Sequence, residues 1–148
     1  VSRMAKDLAM PINVIGVPIV READGLALSS RNIFLSAAER DAALELSRGL
    51  MKASDAVEGG ERDAKLIANA VYSEIGDDLR IEYVALAGQD RVQPMYTLDE
   101  PAFLALAAWS GETRLIDNVH FDAVGGGYVA DRGRPLATES VLYAAGEG

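Results

Sequence analysis

The chain has no cysteine, one histidine and one tryptophan in 148 residues, and aromatic residues make up 6% of it. Without cysteine there is no disulfide framework and no thiolate metal site, so burial must hold the fold together. With His120 alone, no histidine pair can be built for metal binding or catalysis. Positive charge is scarce too. Fourteen basic residues face 23 acidic ones, a net charge of -9, which would repel a phosphate backbone unless the cations were gathered on one face. Nucleic acid is therefore not an expected partner. Long apolar runs are missing as well: none approaches the ~20 residues of a membrane span. The opening "VSRMAKDLAMPINV" is broken by charge and proline too early for a secretory signal. These absences lead to an expectation of a cytoplasmic chain with no membrane partner. Val1 is not an initiator methionine, which fits a chain that continues a longer one.

Hydrophobic residues make up 49% of the sequence, enough for one domain that buries roughly 70% of its unfolded surface. Met4, Leu8 and neighbouring alanines mark a short helix over 2–9 that Pro11 ends. The β-branched run 12–20, "INVIGVPIV", predicts a buried strand with a bend at Gly16 and Pro18. Asp24-Gly25 then predicts a turn joining "PIVRE" to "LALSS" in a hairpin. Ser36 and Glu39 have capping-box spacing, so a helix should start there and run to about Val57, where Gly59-Gly60 stop it. A second helix is predicted between Glu61 and Ile75, forming a helical pair with the first. The period then changes to strand-like over 80–88, 102–109 and 113–121, with a tight turn at Ser110-Gly111-Glu112. The expected fold class is α+β: a small antiparallel three-stranded sheet packed with a helical pair, preceded by a strand and a lid-like hairpin. Residues 122–148, with glycine at 125–127, are expected to form a flexible tail.

The stretch "READGLALSSRN", 21–32, carries the chemistry. Ser29, Ser30, Arg31 and Asn32 offer two hydroxyls, a five-donor guanidinium and an amide next to the positive end of the capped helix. Such a set suits phosphate oxygens, and a hairpin allows it to close over a ligand held by another surface. The same residues also fit a plain loop in which the serines open a turn and Arg31 pairs with a nearby carboxylate. Spacing leaves both readings open. Elsewhere Asp24 is expected to serve the turn, Glu22 to face solvent, Arg114 to pair across the sheet, Asp117-Asn118 to shape a strand or turn, and His120 to be a partly buried strand residue.

"VIGVPIVREADGLALSSRN", running into "FLSAAER", resembles the segment that joins the two domains of the pantoate–β-alanine ligases. "AAWSGETRLIDN", 107–118, is similar to a second signature of that family. The resemblance implies ATP binding by Val20, Leu28, Ser29, Ser30 and Arg31, with Arg31 catalytic through charge on the phosphates. It implies a ligase that activates pantoate with ATP and Mg as a pantoyl adenylate, releases pyrophosphate, and lets β-alanine form pantothenate and AMP. It further implies that 1–20 ends a preceding Rossmann-like domain and linker, and that 21–121 is a C-terminal lid domain. The full-length enzyme is then expected to be a homodimer whose other half holds the histidine signature, and this chain alone is expected to be inactive. Ile33 and the segment beyond Asp122 depart from the family's pattern. The alternative is a free-standing, non-catalytic nucleotide-sensing or interaction module.

Overall fold

The computed structural model describes residues 1–138. After a six-residue helix α1 (Ser2–Asp7) and an extended segment come strand β1 (Val20–Arg21), a 3-10 turn (Ser30–Phe34), and helices α2 (Ala37–Glu58) and α3 (Ala64–Tyr72). Strands β2 (Leu79–Gly88), β3 (Ala102–Ser110), β4 (Thr113–Val124), β5 (Gly127–Asp131) and β6 (Arg134–Pro135) complete it.

Both long helices begin where their caps place them. The Ser36 hydroxyl accepts from the Glu39 amide, and the Glu39 carboxylate accepts from the Ser36 amide, so two orphan donors are satisfied reciprocally. Asp63 does the same for α3, accepting from the Lys65 and Leu66 amides. Gly49 lets α3 come close to α2: a Cβ there would lie 3.0 Å from both the Cγ1 and the carbonyl oxygen of Val71. The helices lay Leu50, Val57, Ile67 and Val71 onto the sheet, where Leu104, Leu106, Val119 and Phe121 meet them fully buried. This is the α+β arrangement the periods predict.

The sheet has four strands rather than three, in the order β2-β3-β4-β5, every neighbour antiparallel. The fourth, at 127–131, falls inside the expected tail. Gly125 and Gly126, at φ +59° and +84°, make the two-residue turn into it, and in composition such glycines read the same as a flexible joint. The last ten residues of the expected tail lie outside the described residues.

A second correction concerns 12–20. Only Val20 and Arg21 are strand, while Ile15 and Val17 are 76% and 82% exposed. A strand needs a neighbour to take its amides and carbonyls, and among the described residues none lies beside 12–18.

The hairpin forms as expected. Gly25 takes φ +98°, the Glu22 amide donates to the Leu26 carbonyl at 2.8 Å, and the Leu28 amide donates to the Val20 carbonyl at 2.9 Å. It is not loosely hung, because Leu26 is buried in the core cluster.

Candidate nucleotide site

Strand β5 pairs only with the last part of β4, from His120 to Val124. The outer edge of β4 before His120 is left to the hairpin, and a cleft of about 360 Å3 lies between them. Val20, Leu28, Ser29 and Arg31 line it from the hairpin side, and Arg114, Ile116 and Asn118 from the strand. Four of the five residues singled out from the sequence are thus brought together. Ser30 is not among the lining residues and is exposed.

Ser29 caps the 3-10 turn, its Oγ accepting from the Arg31 amide at 3.2 Å. That cap fixes the backbone of Arg31 and leaves its exposed guanidinium without an ion pair among the described residues. Arg114 differs. Its guanidinium grips Glu82 at 2.8 and 3.0 Å across the sheet, as expected, and that hydrogen bond raises the arginine and holds the Glu82 carboxyl below its ordinary value. Arg31 is therefore the uncommitted cation among the described residues of a cleft that Val20, Leu26, Leu28 and Ile116 line with apolar surface and Ser29, Asn32, Asp117 and Asn118 with polar groups. A flat ring suits the apolar part, and an anionic oxygen suits the guanidinium.

Beneath the cleft lies a polar network that the sequence reading missed. Arg21 and Asp117, both nearly buried, pair through two hydrogen bonds of 2.7 and 3.1 Å. Burial pushes the Asp117 carboxyl above its ordinary value, against the pull of that guanidinium. Glu22, expected to face solvent, is only 6% exposed. It accepts from Asn32 Nδ2 at 2.6 Å and from Arg40 at 2.7 Å, and Arg40 also reaches Asp24 at 2.5 Å. Burial weakens the Arg40 charge, but the two carboxylates outweigh it and raise the guanidinium. Asn32 Nδ2 also donates to the Ala27 carbonyl at 3.0 Å, while its Oδ1 is buried without a partner among the described residues. The signal for this network is the run "READ" itself, three charges in a hairpin that otherwise packs apolar residues. Asp24 keeps its expected turn role, accepting from the Leu26 amide at 3.2 Å.

His120 is exposed rather than partly buried, its ring 5.8 Å from that of Phe103. It faces outward because odd-numbered neighbours Leu115, Asp117, Val119 and Phe121 take the core side of β4.

The family model for pantoate-beta-alanine ligase matches residues 1–120. The chain belongs to the pantoate-beta-alanine ligase family. Among curated relatives, the pantothenate synthetase of Moorella thermoacetica is 47% identical over 121 residues, 80% of this chain and 43% of that protein. The pantoate–beta-alanine ligase of Oryza sativa subsp. japonica is 42% identical over 123 residues, 82% of this chain and 39% of that protein. The crystal structure of the pantothenate synthetase of Thermus thermophilus superposes with a TM-score of 0.73 at 35% identity, covering 79% of this chain and 43% of that one. The chain thus spans less than half the length of the family members it matches. No helix among the described residues is long and apolar enough to cross a membrane.

Proposed function

We propose that this chain is the C-terminal, nucleotide-closing part of an ATP-dependent pantoate–β-alanine ligase, acting in the cytoplasm. The observation that carries the reading is the cleft in which Val20, Leu28, Ser29 and Arg31 converge beside an edge of β4 that, among the described residues, has no strand partner before His120. Val20 and Leu28 form an apolar seat for the adenosine, and Ser29 and Arg31 meet the phosphates. Ser30, at the exposed start of the same turn, adds a hydroxyl once the opposite wall arrives. The exposed apolar side chains of Ile12, Ile15 and Val17 fit a segment that packs into a preceding Rossmann-like domain, which would supply that wall and the pantoate and β-alanine sites. Full-length protein of this kind would pair as a homodimer through that other half.

In this reading the ligase forms a pantoyl adenylate. A carboxylate oxygen of pantoate attacks the α-phosphorus of ATP, the bond to the β-phosphate oxygen breaks, and pyrophosphate leaves with the electron pair. The amine of β-alanine then attacks the acyl carbon, AMP departs, and the amine's proton is lost to give pantothenate. Arg31 stabilises charge that builds on the phosphates in the first step, most effectively when closure excludes water. The Mg accompanies ATP as the counter-ion of its phosphates, and among the described residues no group of three or more His, Cys, Asp or Glu side chains converges on a metal position.

Pyrophosphate release with pantoate, β-alanine and MgATP tests the reading. The chain alone should give none, and mixing or fusing it with a family member's amino-terminal portion should restore turnover that Arg31→Ala reduces. Turnover by the chain alone, abolished by Arg31→Ala, would overturn the half-site assignment. Nucleotide binding without turnover in the assembled protein would favour a sensing module.

A further inference from the structure

The family match stops at His120, yet the chain continues into ordered structure that returns to the base of the hairpin. The geometry points to a positioning role for this return: residues 132–136 act as a strap that holds the hairpin, and through it Arg31, ready for the nucleotide. The inference rests on the nucleotide reading above for what is held, and on the contacts below for how.

After β5 the chain turns sharply at Gly133, whose φ is +88° and whose amide donates to Asp131 Oδ1 at 3.0 Å. Arg132 anchors the turn to α2, with ion pairs to Asp55 at 2.8 Å and Glu58 at 2.5 Å. β6 then runs parallel to β1, in register Val20 with Arg134 and Arg21 with Pro135. The Arg134 amide donates to the Ile19 carbonyl at 2.6 Å, and the Leu136 amide to the Arg21 carbonyl at 2.8 Å. From the other direction Arg21 Nε donates to the Arg132 carbonyl at 2.6 Å, while the same guanidinium holds Asp117 of β4.

The consequence follows from which edge of β1 each partner uses. Leu28 takes the Val20 carbonyl on the hairpin side, and the strap takes the carbonyls of Ile19 and Arg21 on the other. A two-stranded hairpin is marginal alone, and a third strand is what makes such a unit stable. β6 supplies that third strand, and its tie through Arg132 to α2 prevents the three from moving together. Ordering the hairpin before the nucleotide arrives removes an entropic cost from binding. Losing the strap should therefore weaken ATP binding more than the rate once ATP is bound.

Two substitutions remove the strap by different means. Gly133→Ala places a Cβ 2.6 Å from the Ile19 carbonyl oxygen at a φ that L-residues rarely adopt. Leu136→Pro deletes the amide that bonds Arg21, and Leu136→Ala keeps that amide as the control. Amide exchange in the 148-residue chain should speed up by about five- to tenfold at Glu22 and Leu28 in the first two variants, the range expected for one lost hydrogen bond. It should stay within about twofold at Leu86 and Leu104, and everywhere in Leu136→Ala. Equal protection of Glu22 and Leu28 in wild type and Leu136→Pro would overturn the strap, and this arm decides it without any activity. In the assembled ligase, KM for ATP should rise by a similar factor in Gly133→Ala and Leu136→Pro, with kcat within about twofold. Faster exchange with both KM and kcat unchanged in the two strap variants, while Arg31→Ala changes either, would overturn the positioning role. If Arg31→Ala changes neither KM nor kcat, the nucleotide reading has failed, and the exchange result still judges the strap.

Discussion

Arg21 and Asp117, 96 residues apart in sequence, form a two-point ion pair at 2.7 and 3.1 Å that joins the hairpin to the middle of β4. Arg21 also donates to the carbonyls of Gly25 and Arg132 and to the Ser47 hydroxyl, so one guanidinium ties the hairpin, α2, β4 and the return from β5. The floor of the cleft is therefore fixed by charge as well as by apolar packing.

Removing one partner of this pair should destabilise the fold strongly. Asp117→Asn leaves the Arg21 guanidinium buried without its counter-charge, and losses of about 3–5 kcal/mol are usual for such a change. The urea midpoint should fall accordingly, while Arg21→Met combined with Asp117→Leu should recover part of the loss because neither charge is then buried. A single variant as stable as wild type would mean that the pair does not hold the floor.

The Glu22 network gives a second test, and it depends on burial. Glu22 is nearly buried and takes hydrogen bonds from both Asn32 and Arg40, whereas Asp24 lies on the exposed side of the same arginine. Glu22→Gln should cost about 2 kcal/mol, the scale of a hydrogen bond to a charged group. Asp24→Asn should cost under about 1 kcal/mol, as an exposed pair does. Thermal or urea unfolding that ranks the two in the opposite order would count against the clamp.

The contrast between these residues and the helices explains what is legible in the sequence. Ser36 with Glu39, Asp24-Gly25 and the alternation across 102–109 act on near neighbours, so their consequences are written locally. Glu22 is different: whether a carboxylate in a turn meets water or Arg40 depends on where α2 lies, 18 residues on. The strand 127–131 is hidden for a similar reason, since Ala130 gains its place through its amide's bond to Glu58 on α2 and through the register of β4. The run 12–20 misleads in the other direction. Its β-branched composition describes a surface that wants a partner, and the described residues contain no strand beside 12–18. Within the site, Val20, Leu28, Ser29 and Arg31 converge as the hairpin implies, but the buried pair beneath them has no short-range signature.

Glu58 makes stability depend on pH in a defined direction. The Ala130 amide, and then Arg132, hold its carboxyl below the ordinary value of 4.5. A group depressed in the folded state contributes stability above its unfolded value and loses it as pH falls through the folded one. The urea midpoint of the wild type should therefore drop below that of Glu58→Gln, relative to their difference at neutral pH, as pH is lowered from about 4.5. Asp117, raised by burial, works in the opposite sense, which is why the difference between the two proteins is the quantity to follow. A difference independent of pH would show that the Ala130 and Arg132 contacts do not favour the ionised form.

Arg31 is the residue in which stability and activity should separate. It is exposed, belongs to a short turn, and holds no ion pair among the described residues, so Arg31→Ala should leave the urea midpoint unchanged. If the proposed nucleotide role holds, the same substitution in the assembled ligase removes a charge-assisted contact to phosphate oxygens whose charge grows in the transition state. Such contacts are worth on the order of 3 kcal/mol, about a hundredfold in the rate of adenylate formation. Arg31→Lys should recover only part of that rate, because an ammonium keeps the charge without the planar two-point geometry. Pyrophosphate release under single-turnover conditions separates this step from the later attack by β-alanine. A rate unchanged in Arg31→Ala would remove Arg31 from the chemistry. A fall in rate matched by a fall in the urea midpoint would instead make it a structural residue of the turn.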